Sequence, residues 1–154
     1  MNDAWPQQRR GRTVYRFLED TAGSYMTKTV RTVTRGVTVR ELGDMIKRDD
    51  FNTYPVEEDG QVVGIVTKFD MLKCFAFTSS QMVPRYSDLM NKTVGDVMTS
   101  DFIYVRSDTK LTRVLQLMVE HRIRSLPVID GDSRLVGIIA REDVLKALAA
   151  AAAD

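Results

Sequence analysis

The sequence predicts a mixed α/β fold of the α+β kind, made of two pseudo-symmetric repeats that each run β-α-β-β-α. Three observations predict it: segments of the first half recur in the second, each half has one amphipathic helical stripe, and each half ends in a hairpin pattern followed by a helix. A unit of roughly 50 residues buries too little surface to be stable alone. The two repeats are therefore expected to pack on each other.

The repeat is visible in three pairs of segments. The pairs are "YMTKTVRTV" with "VMTSDFIYV", "TVRELGDMI" with "KLTRVLQLM", and "TYPVEEDGQVVGIVTKFDML" with "SLPVIDGDSRLVGIIAREDVL". The offset is 72 residues between Pro55 and Pro127, and 73 between Gly64 and Gly137. The extra residue falls in a polar turn, where insertions are tolerated best.

Each repeat is predicted to begin with a short β-rich run, at residues 30–33 and 102–105. An amphipathic helix follows, since apolar residues recur at helical spacing. The stripe comprises Val39, Leu42, Met45 and Ile46 in the first repeat, and Leu111, Val114, Leu115 and Met118 in the second.

A hairpin comes next in each repeat. Its turn is expected at residues 59–60 and around residues 130–131, because Asp-Gly pairs favour hairpin turns. Pro55 and Pro127 lie early in the first strand, where a missing N–H is tolerated. The second strands, "QVVGIV" and "RLVGII", are expected to run into helices that begin near Lys68 and Arg141.

Further helices are expected outside the repeats. Residues 13–23 predict a helix ended by Gly23, and a short helix is expected after Pro84. The five alanines after Leu148 favour a helix that frays at its end. The expected boundaries are 1–24 for an N-terminal arm and helix, 25–80 for repeat 1, 81–95 for a connecting segment, 96–150 for repeat 2 and 151–154 for a tail.

Composition excludes several classes of function. The formal net charge of +1 gives no bulk attraction to nucleic acid, and no apolar run is long enough for membrane insertion, so a cytoplasmic location is expected. The single Cys74 and single His121 make a metal site unexpected. We also expect no nucleophilic Cys–His pair, because Cys74 lies in an apolar helical stretch and His121 at a helix C-terminus.

The stretch "GIVTKFD", residues 64–70, has two interpretations. Thr67 followed three residues later by Asp70 is typical of a capping box, which satisfies free amides at a helix start. The same two side chains could also surround a ligand at that helix mouth. The spacing alone favours the cap.

Each half of the chain resembles a CBS domain. The resemblance rests on features that occur in the same order in both halves: a Met-Thr pair, a helix, an x-Pro-Val strand, a Gly-apolar-apolar strand and a helix start with the pattern x-x-x-Asp. The resemblance implies that residues from about 25 to 150 form a tandem CBS pair, also called a Bateman module. The resemblance implies a disc of intertwined repeats that commonly dimerises. It also implies a regulatory role, through adenosine-containing ligands (AMP, ADP or ATP, sometimes NAD or S-adenosylmethionine) bound between the repeats.

Carried over by position, the resemblance implies a first cleft around Asp70, whose carboxylate would accept both ribose hydroxyls. Thr67 and the amides after it would face a phosphate. The remaining residues of the first cleft would be Asn52, Thr53, Tyr54, Phe102 and Ile103.

The second cleft implied by the resemblance is centred on Asp143. Ala140 stands where the family usually has Ser or Thr, which removes a hydroxyl and favours the Asp70 cleft as the tighter one. Its other residues would be Arg124, Ser125, Leu126 and Arg141, with Lys28 and Val30 opposite.

The sequence is compatible with three functions, in decreasing order of support. The first is a non-enzymatic adenine-nucleotide sensor, an energy sensor that acts through a homodimer on a partner protein the sequence does not name. The second is a ligand-free protein–protein scaffold, which Ala140 favours. An enzyme is third, because the chain has no glycine-rich phosphate loop and no Ser/His/Asp set.

Overall fold

The computed structural model describes residues 16–76 and 85–153. Helix α1 is described over residues 16–19, and the other elements follow in chain order. They are α2 (Ala22–Tyr25), α3 (Val39–Asp49), β1 (Thr53–Glu58), β2 (Gln61–Thr67), α4 (Lys68–Lys73), α5 (Tyr86–Met90), α6 (Val94–Val97), α7 (Leu111–His121), β3 (Ser125–Ile129), β4 (Leu135–Ala140) and α8 (Arg141–Ala153). The mixed fold with two small sheets confirms the predicted fold class.

The chain forms two compact units, each with its own core. Among the described residues, unit 1 comprises 16–30, 103–131 and 135–153, and unit 2 comprises 31–76, 85–102 and 132–134. Unit 1 buries one face of α7 and of α8 against β3 and β4, and unit 2 buries α3 against β1 and β2. The segment that leads into the first repeat thus belongs to the unit of the second repeat.

The two hairpins form as predicted. β1 pairs with β2 and β3 with β4, both antiparallel, and each second strand carries one extra residue, Val63 or Val136, at a bulge. Asp59 and Gly60 both have positive φ, which is the backbone of the favoured two-residue hairpin turn. In the longer second turn the positive φ falls on Ser133 instead.

The β-rich runs predicted at residues 30–33 and 102–105 are only single bridges. Val33 pairs in parallel with Val56, and Val105 with Val128. Each bridge uses the carbonyl of the preceding proline, Pro55 or Pro127, as an acceptor. The next rung would need the N–H of that proline, which does not exist. The prolines therefore stop these ladders after one residue.

Both hairpins gain a partner from the first residues of the other repeat. Ile65 of β2 exchanges two backbone hydrogen bonds with Thr99, and Ile138 of β4 does the same with Thr27. The glycine before each strand residue permits this approach. A Cβ on Gly64 would lie 2.9 Å from the Thr99 carbonyl oxygen, below any normal contact.

The helices agree with the sequence in most places. Val39, Leu42 and Ile46 are buried in α3, and in α7 the buried set gains Leu117 while Leu115 is half-buried. The single helix predicted for residues 13–23 is wrong over its described part, because α1 and α2 are separate and Gly23 lies within α2. Residues 151–153 continue α8, and Ala151 is buried, so the alanine tail is part of the packed helix.

Candidate functional site

The Thr67–Asp70 pair forms a complete capping box at the start of α4. The Asp70 amide donates to Thr67 Oγ1 at 3.1 Å, and the Thr67 amide donates to Asp70 Oδ2 at 2.9 Å. The Thr67 hydroxyl also donates to Oδ2, at 3.0 Å. Asp70 is 5% exposed. The cap interpretation is therefore confirmed, and Oδ2 is already bound by two donors.

The other oxygen of Asp70 is bound by Lys73, the last residue of α4. Lys73 Nζ lies 2.9 Å from Asp70 Oδ1, and the same ammonium group lies 5.4 Å from the centre of the Phe69 ring. An acid and a lysine three residues apart on a helix face each other. Both carboxylate oxygens at this site are consequently occupied by the protein itself.

The end of the first hairpin places two more predicted residues beside Thr67. Thr53 is the register partner of Thr67, and the Lys68 amide donates to the Asn52 carbonyl at 3.1 Å. Both Asn52 and Thr53 are half-buried. These residues share the end of the hairpin at which α4 begins.

Tyr54 is not available to a ligand. Its side chain is fully buried in the core of unit 2, and its hydroxyl donates to Asp49 Oδ2 at 3.1 Å. Burial, and then the bond to Asp49, raises the pKa of Tyr54 to about 12. Arg31 and Arg48 also pair with the Asp49 carboxylate, each at 3.3 Å. The predicted ring contact from Tyr54 is therefore a core contact.

Phe102 and Ile103 follow the Thr99 bridge along the chain and are both half-buried. Phe102 belongs to unit 2 together with Thr67 and Asp70, whereas Ile103 belongs to unit 1 and packs against that unit's core. Their roles as ligand contacts remain predictions.

The second site repeats the hairpin end with a sparser set of hydrogen bonds. Asp143 is 8% exposed, and its Oδ2 accepts the Ala140 amide at 2.8 Å. Ala140 has no hydroxyl to add a second donor. Within residues 16–76 and 85–153, Asp143 Oδ1 has no hydrogen bond or ion pair, and Lys146, which corresponds to Lys73, has no ion pair. This carboxylate keeps one free oxygen.

Two arginines lie beside Asp143. The Arg141 amide donates to the Arg124 carbonyl at 3.0 Å, and Arg141 Nε donates to the Ile123 carbonyl at 3.1 Å. Both arginine side chains are exposed. Ser125 is buried and is the register partner of Ala140.

Leu126 and the predicted residues from the N-terminal segment differ in exposure. Leu126 is fully buried in the core of unit 1, so its side chain cannot contact a ligand. Lys28 is exposed and Val30 half-buried, and both follow Thr27, which bridges Ile138 two residues before Ala140. The segment containing Lys28 and Val30 therefore starts next to β4, in the same unit as Asp143.

A capping box alone does not mark a site in this chain. Thr93 and Asp96 form the same box at the start of α6, with the Thr93 amide 3.0 Å from Asp96 Oδ2. The Thr93 backbone hydrogen bond, and then its hydroxyl, lower the pKa of Asp96. Asp96 is exposed, whereas Asp70 and Asp143 are buried. Burial of the carboxylate distinguishes the two candidate sites from an ordinary helix cap.

Unit 1 also has an apolar groove between α7 and α8, with a volume of about 320 Å³. Val119 is 69% exposed and Leu145 is 64% exposed. The groove is lined by Leu115, Met118, Val119, Arg122, Arg141, Val144, Leu145 and Leu148. Exposed apolar area of this kind is typical of an interaction surface.

The described residues contain neither a candidate metal site nor a candidate membrane span. No group of three or more His, Cys, Asp or Glu side chains there could hold a metal ion. None of the helices in residues 16–76 and 85–153 is both long and apolar enough to cross a bilayer.

The family model named CBS domain matches the chain twice, over residues 22–76 and 94–150. The chain belongs to the CBS domain family. The two matches cover both hairpins, both capped helices and both buried aspartates, so Asp70 and Asp143 occupy corresponding positions of the two CBS repeats.

Curated relatives carry CBS sequence in several contexts. The chain is 32% identical over 149 residues to the chloroplastic CBS domain-containing protein CBSX1 of Arabidopsis thaliana, covering 82% of this chain and 63% of the relative. It is 34% identical over 145 residues to the magnesium transporter MgtE of Thermus thermophilus, covering 90% and 29%. The chain thus spans less than two thirds of the length of these relatives.

Solved structures show the same fold. CBSX2 of Arabidopsis thaliana matches with a TM-score of 0.76 at 29% identity, over 88% of this chain and 98% of that one. CBSX2 in complex with AMP matches with a TM-score of 0.72 at 27% identity, over 85% and 97%. Protein MJ1225 of Methanocaldococcus jannaschii matches with a TM-score of 0.79 at 27% identity, over 89% and 50%.

Sequence reasoning missed Lys73 at the first CBS site. The signal was present, because an acid and a lysine three residues apart on a helix form a common pair. The missing hydroxyl at Ala140 is visible in the sequence, but its consequence for Asp143 depends on which donors surround the carboxylate. That information exists only in the folded chain.

Proposed function

We propose that this CBS pair is a non-enzymatic regulatory module that binds adenosine-containing nucleotides, AMP, ADP or ATP, with NAD as an alternative. The observation that supports it best is the buried Asp143 carboxylate with one unbound oxygen at the end of a hairpin. A carboxylate can accept one hydrogen bond on each oxygen from a cis-diol. Ribose presents such a diol.

Two further observations support this ligand class. Arg124 and Arg141 are exposed cations at the same hairpin end as Asp143, and guanidinium groups bind phosphate well. The solved relative CBSX2 is in complex with AMP and matches 85% of this chain. AMP is therefore the first nucleotide to test.

The alternative is a ligand-free scaffold that only binds a partner protein. The observation that favours it is at the other repeat, where Thr67 and Lys73 already bind both oxygens of Asp70. A chain with no open site would keep the fold and use its surface alone.

A homodimer is part of the proposal. The groove between α7 and α8 leaves Val119 and Leu145 more than half exposed, and on α4 Phe69 and Leu72 are 68% and 60% exposed. Such surface is costly to leave in water, and a second copy of the chain would cover it. The module would pass a change in ligand occupancy to a cytoplasmic partner protein through this assembly.

The experiment is a thermal-shift panel of AMP, ADP, ATP, NAD and S-adenosylmethionine on purified protein. A ligand at about 100 times its dissociation constant adds roughly 2.7 kcal/mol to folding stability. For a chain of this size that is a rise in Tm of roughly 5–10 °C. Guanosine nucleotides serve as controls. No shift with any adenosine compound would favour the scaffold.

A further inference from the structure

The two CBS sites differ in the number of donors that bind the buried aspartate, although the two aspartates occupy corresponding positions. Asp70 and Asp143 are both buried, yet three donors hold the Asp70 carboxylate and one holds that of Asp143. A carboxylate has about four acceptor positions, two on each oxygen. At Asp70, Oδ2 is full and Oδ1 retains one position, whereas at Asp143 Oδ1 retains both.

Lys73 is held in place by two contacts, its ion pair with Asp70 and its approach to the Phe69 ring at 5.4 Å. The second repeat has Glu142 where the first has Phe69, so the corresponding Lys146 lacks the aromatic neighbour that Phe69 provides for Lys73. An ammonium over an aromatic face is held by the ring quadrupole in addition to the ion pair. The aromatic residue at this one position therefore favours the lysine–aspartate ion pair in the first repeat only.

We propose that Lys73 competes with the ligand for the Asp70 carboxylate, so that the site at Asp143 fills first. This inference rests on the proposed function. A cis-diol needs two acceptor positions on the carboxylate, and Asp143 offers three without any rearrangement, whereas Asp70 has only one left. At Asp70 the diol has to displace Lys73 or turn away the Thr67 hydroxyl before it can bind. This order is the reverse of the one expected from the missing hydroxyl at Ala140.

The test measures AMP binding by calorimetry with one site disabled at a time. In the Asp143→Ala background, only the Asp70 site remains, and Lys73→Met removes the competing charge while keeping a long apolar side chain. An exposed or half-exposed ion pair is worth little, so AMP affinity is expected to rise about 2- to 5-fold. In the Asp70→Ala background, the matched control Lys146→Met is expected to change AMP affinity by less than about 2-fold.

A second probe separates competition for the diol from a general effect of charge. 2′-Deoxyadenosine monophosphate has a single remaining ribose hydroxyl, which the free position on Asp70 Oδ1 can accept while Lys73 stays. Its affinity is therefore expected to change less than that of AMP when Lys73→Met is made. Equal gains for both probes would mean that charge, and not competition, is responsible, and would overturn the proposal.

The failure of this inference differs from the failure of the proposed function. If AMP binds but Lys73→Met leaves its affinity unchanged or weakens it, Lys73 is not a competitor and the inference alone falls. If no adenosine compound binds the unmodified chain, the proposed function falls and the inference falls with it. Thermal unfolding of each variant checks that it is folded, which is expected because Lys73 is 54% exposed and Lys146 is exposed.

Discussion

Ile65 and Thr99 exchange two backbone hydrogen bonds, at 3.0 and 2.8 Å, and so attach the start of the second repeat to the hairpin of the first. Gly64 makes this pairing sterically feasible, because a Cβ there would lie 2.9 Å from both the Thr99 carbonyl oxygen and Met98 Sδ. We expect Gly64→Ala to lower the free energy of unfolding by about 1–3 kcal/mol, the usual cost of overpacking. Urea denaturation measures it.

Gly36→Ala is the matched control for that change. A Cβ at Gly36 meets nothing within 4 Å, and its φ is not in the left-handed region. This variant is expected to be neutral or to stabilise by up to about 1 kcal/mol. Similar losses for both variants would contradict the steric argument.

Asp143→Asn is expected to weaken the tighter of two nucleotide-binding events by roughly 1–3 kcal/mol, because a charged acceptor is lost while the side-chain size is kept. Its cost to the ligand-free chain is expected to stay under about 1 kcal/mol, since the Asn side-chain oxygen can still accept the Ala140 amide. Calorimetry and denaturation measure the two quantities. Asp96→Asn changes an exposed cap and should leave binding unaltered. Loss of tight binding on Asp70→Asn alone would reverse the order of the sites.

Ala140→Thr would install in the second repeat the hydroxyl that Thr67 provides in the first. The new hydroxyl can accept the Asp143 amide, as Thr67 Oγ1 accepts the Asp70 amide at 3.1 Å. We expect folding stability to increase by about 0.5–2 kcal/mol, the usual contribution of such a cap. Unchanged stability would show that Asp143 already satisfies the start of α8 through other contacts.

The raised pKa of Tyr54 predicts that folding stability depends on pH in alkaline solution. Its pKa is raised from 10.0 to about 12, by burial and then by the bond to Asp49, so folding favours the protonated phenol. The resulting stability is fully present below the unfolded pKa and is lost as the pH rises from about 10 to about 12. Tyr54→Phe should remove this component. The difference in unfolding free energy between the two proteins, followed from pH 8 to 11.5, is expected to narrow above pH 10; a constant difference would contradict it.

The exposed face of α7 and α8 is expected to hold two chains together. Leu145→Lys places a charge in the groove, while the 64% exposure of Leu145 implies a change of less than about 0.5 kcal/mol in the stability of a single chain. Sedimentation at tens of micromolar should show a dimer for the unmodified chain and a shift to monomer for the variant. Glu120→Lys, on an exposed position of α7 outside the groove lining, is the control. A monomeric unmodified chain would refute the dimer.

The secondary structure could be predicted closely where local chemistry dominates. The turn at Asp59 and Gly60 and the starts of α4 and α8 appear where the sequence places them, because φ preferences and capping groups act over a few residues. The strands expected at residues 30–33 and 102–105 do not form beyond one bridge each, because the length of a strand depends on the hydrogen-bonding groups of its partner. Pro55 and Pro127 lack the donors that a longer ladder requires.

The candidate site shows the same division between local and distant information. Thr67, Asp70 and Asp143 could be selected because a repeated pattern marks equivalent positions. Tyr54 and Leu126 could not be excluded from the site, since an apolar side chain on a short strand can face either a ligand or the core. Both face the core, and both are fully buried.

By itself the sequence determined the two repeats, the hairpins, the capped helices and the family, since each depends on local preferences that occur twice in the chain. Only the tertiary structure decided that Asp70 is bound on both oxygens and that, among the described residues, nothing binds the second oxygen of Asp143. The physical reason is that the acceptor capacity of a carboxylate depends on the donors around it. Their positions follow from side-chain packing, such as that of Lys73 over Phe69, which spacing along the chain does not specify.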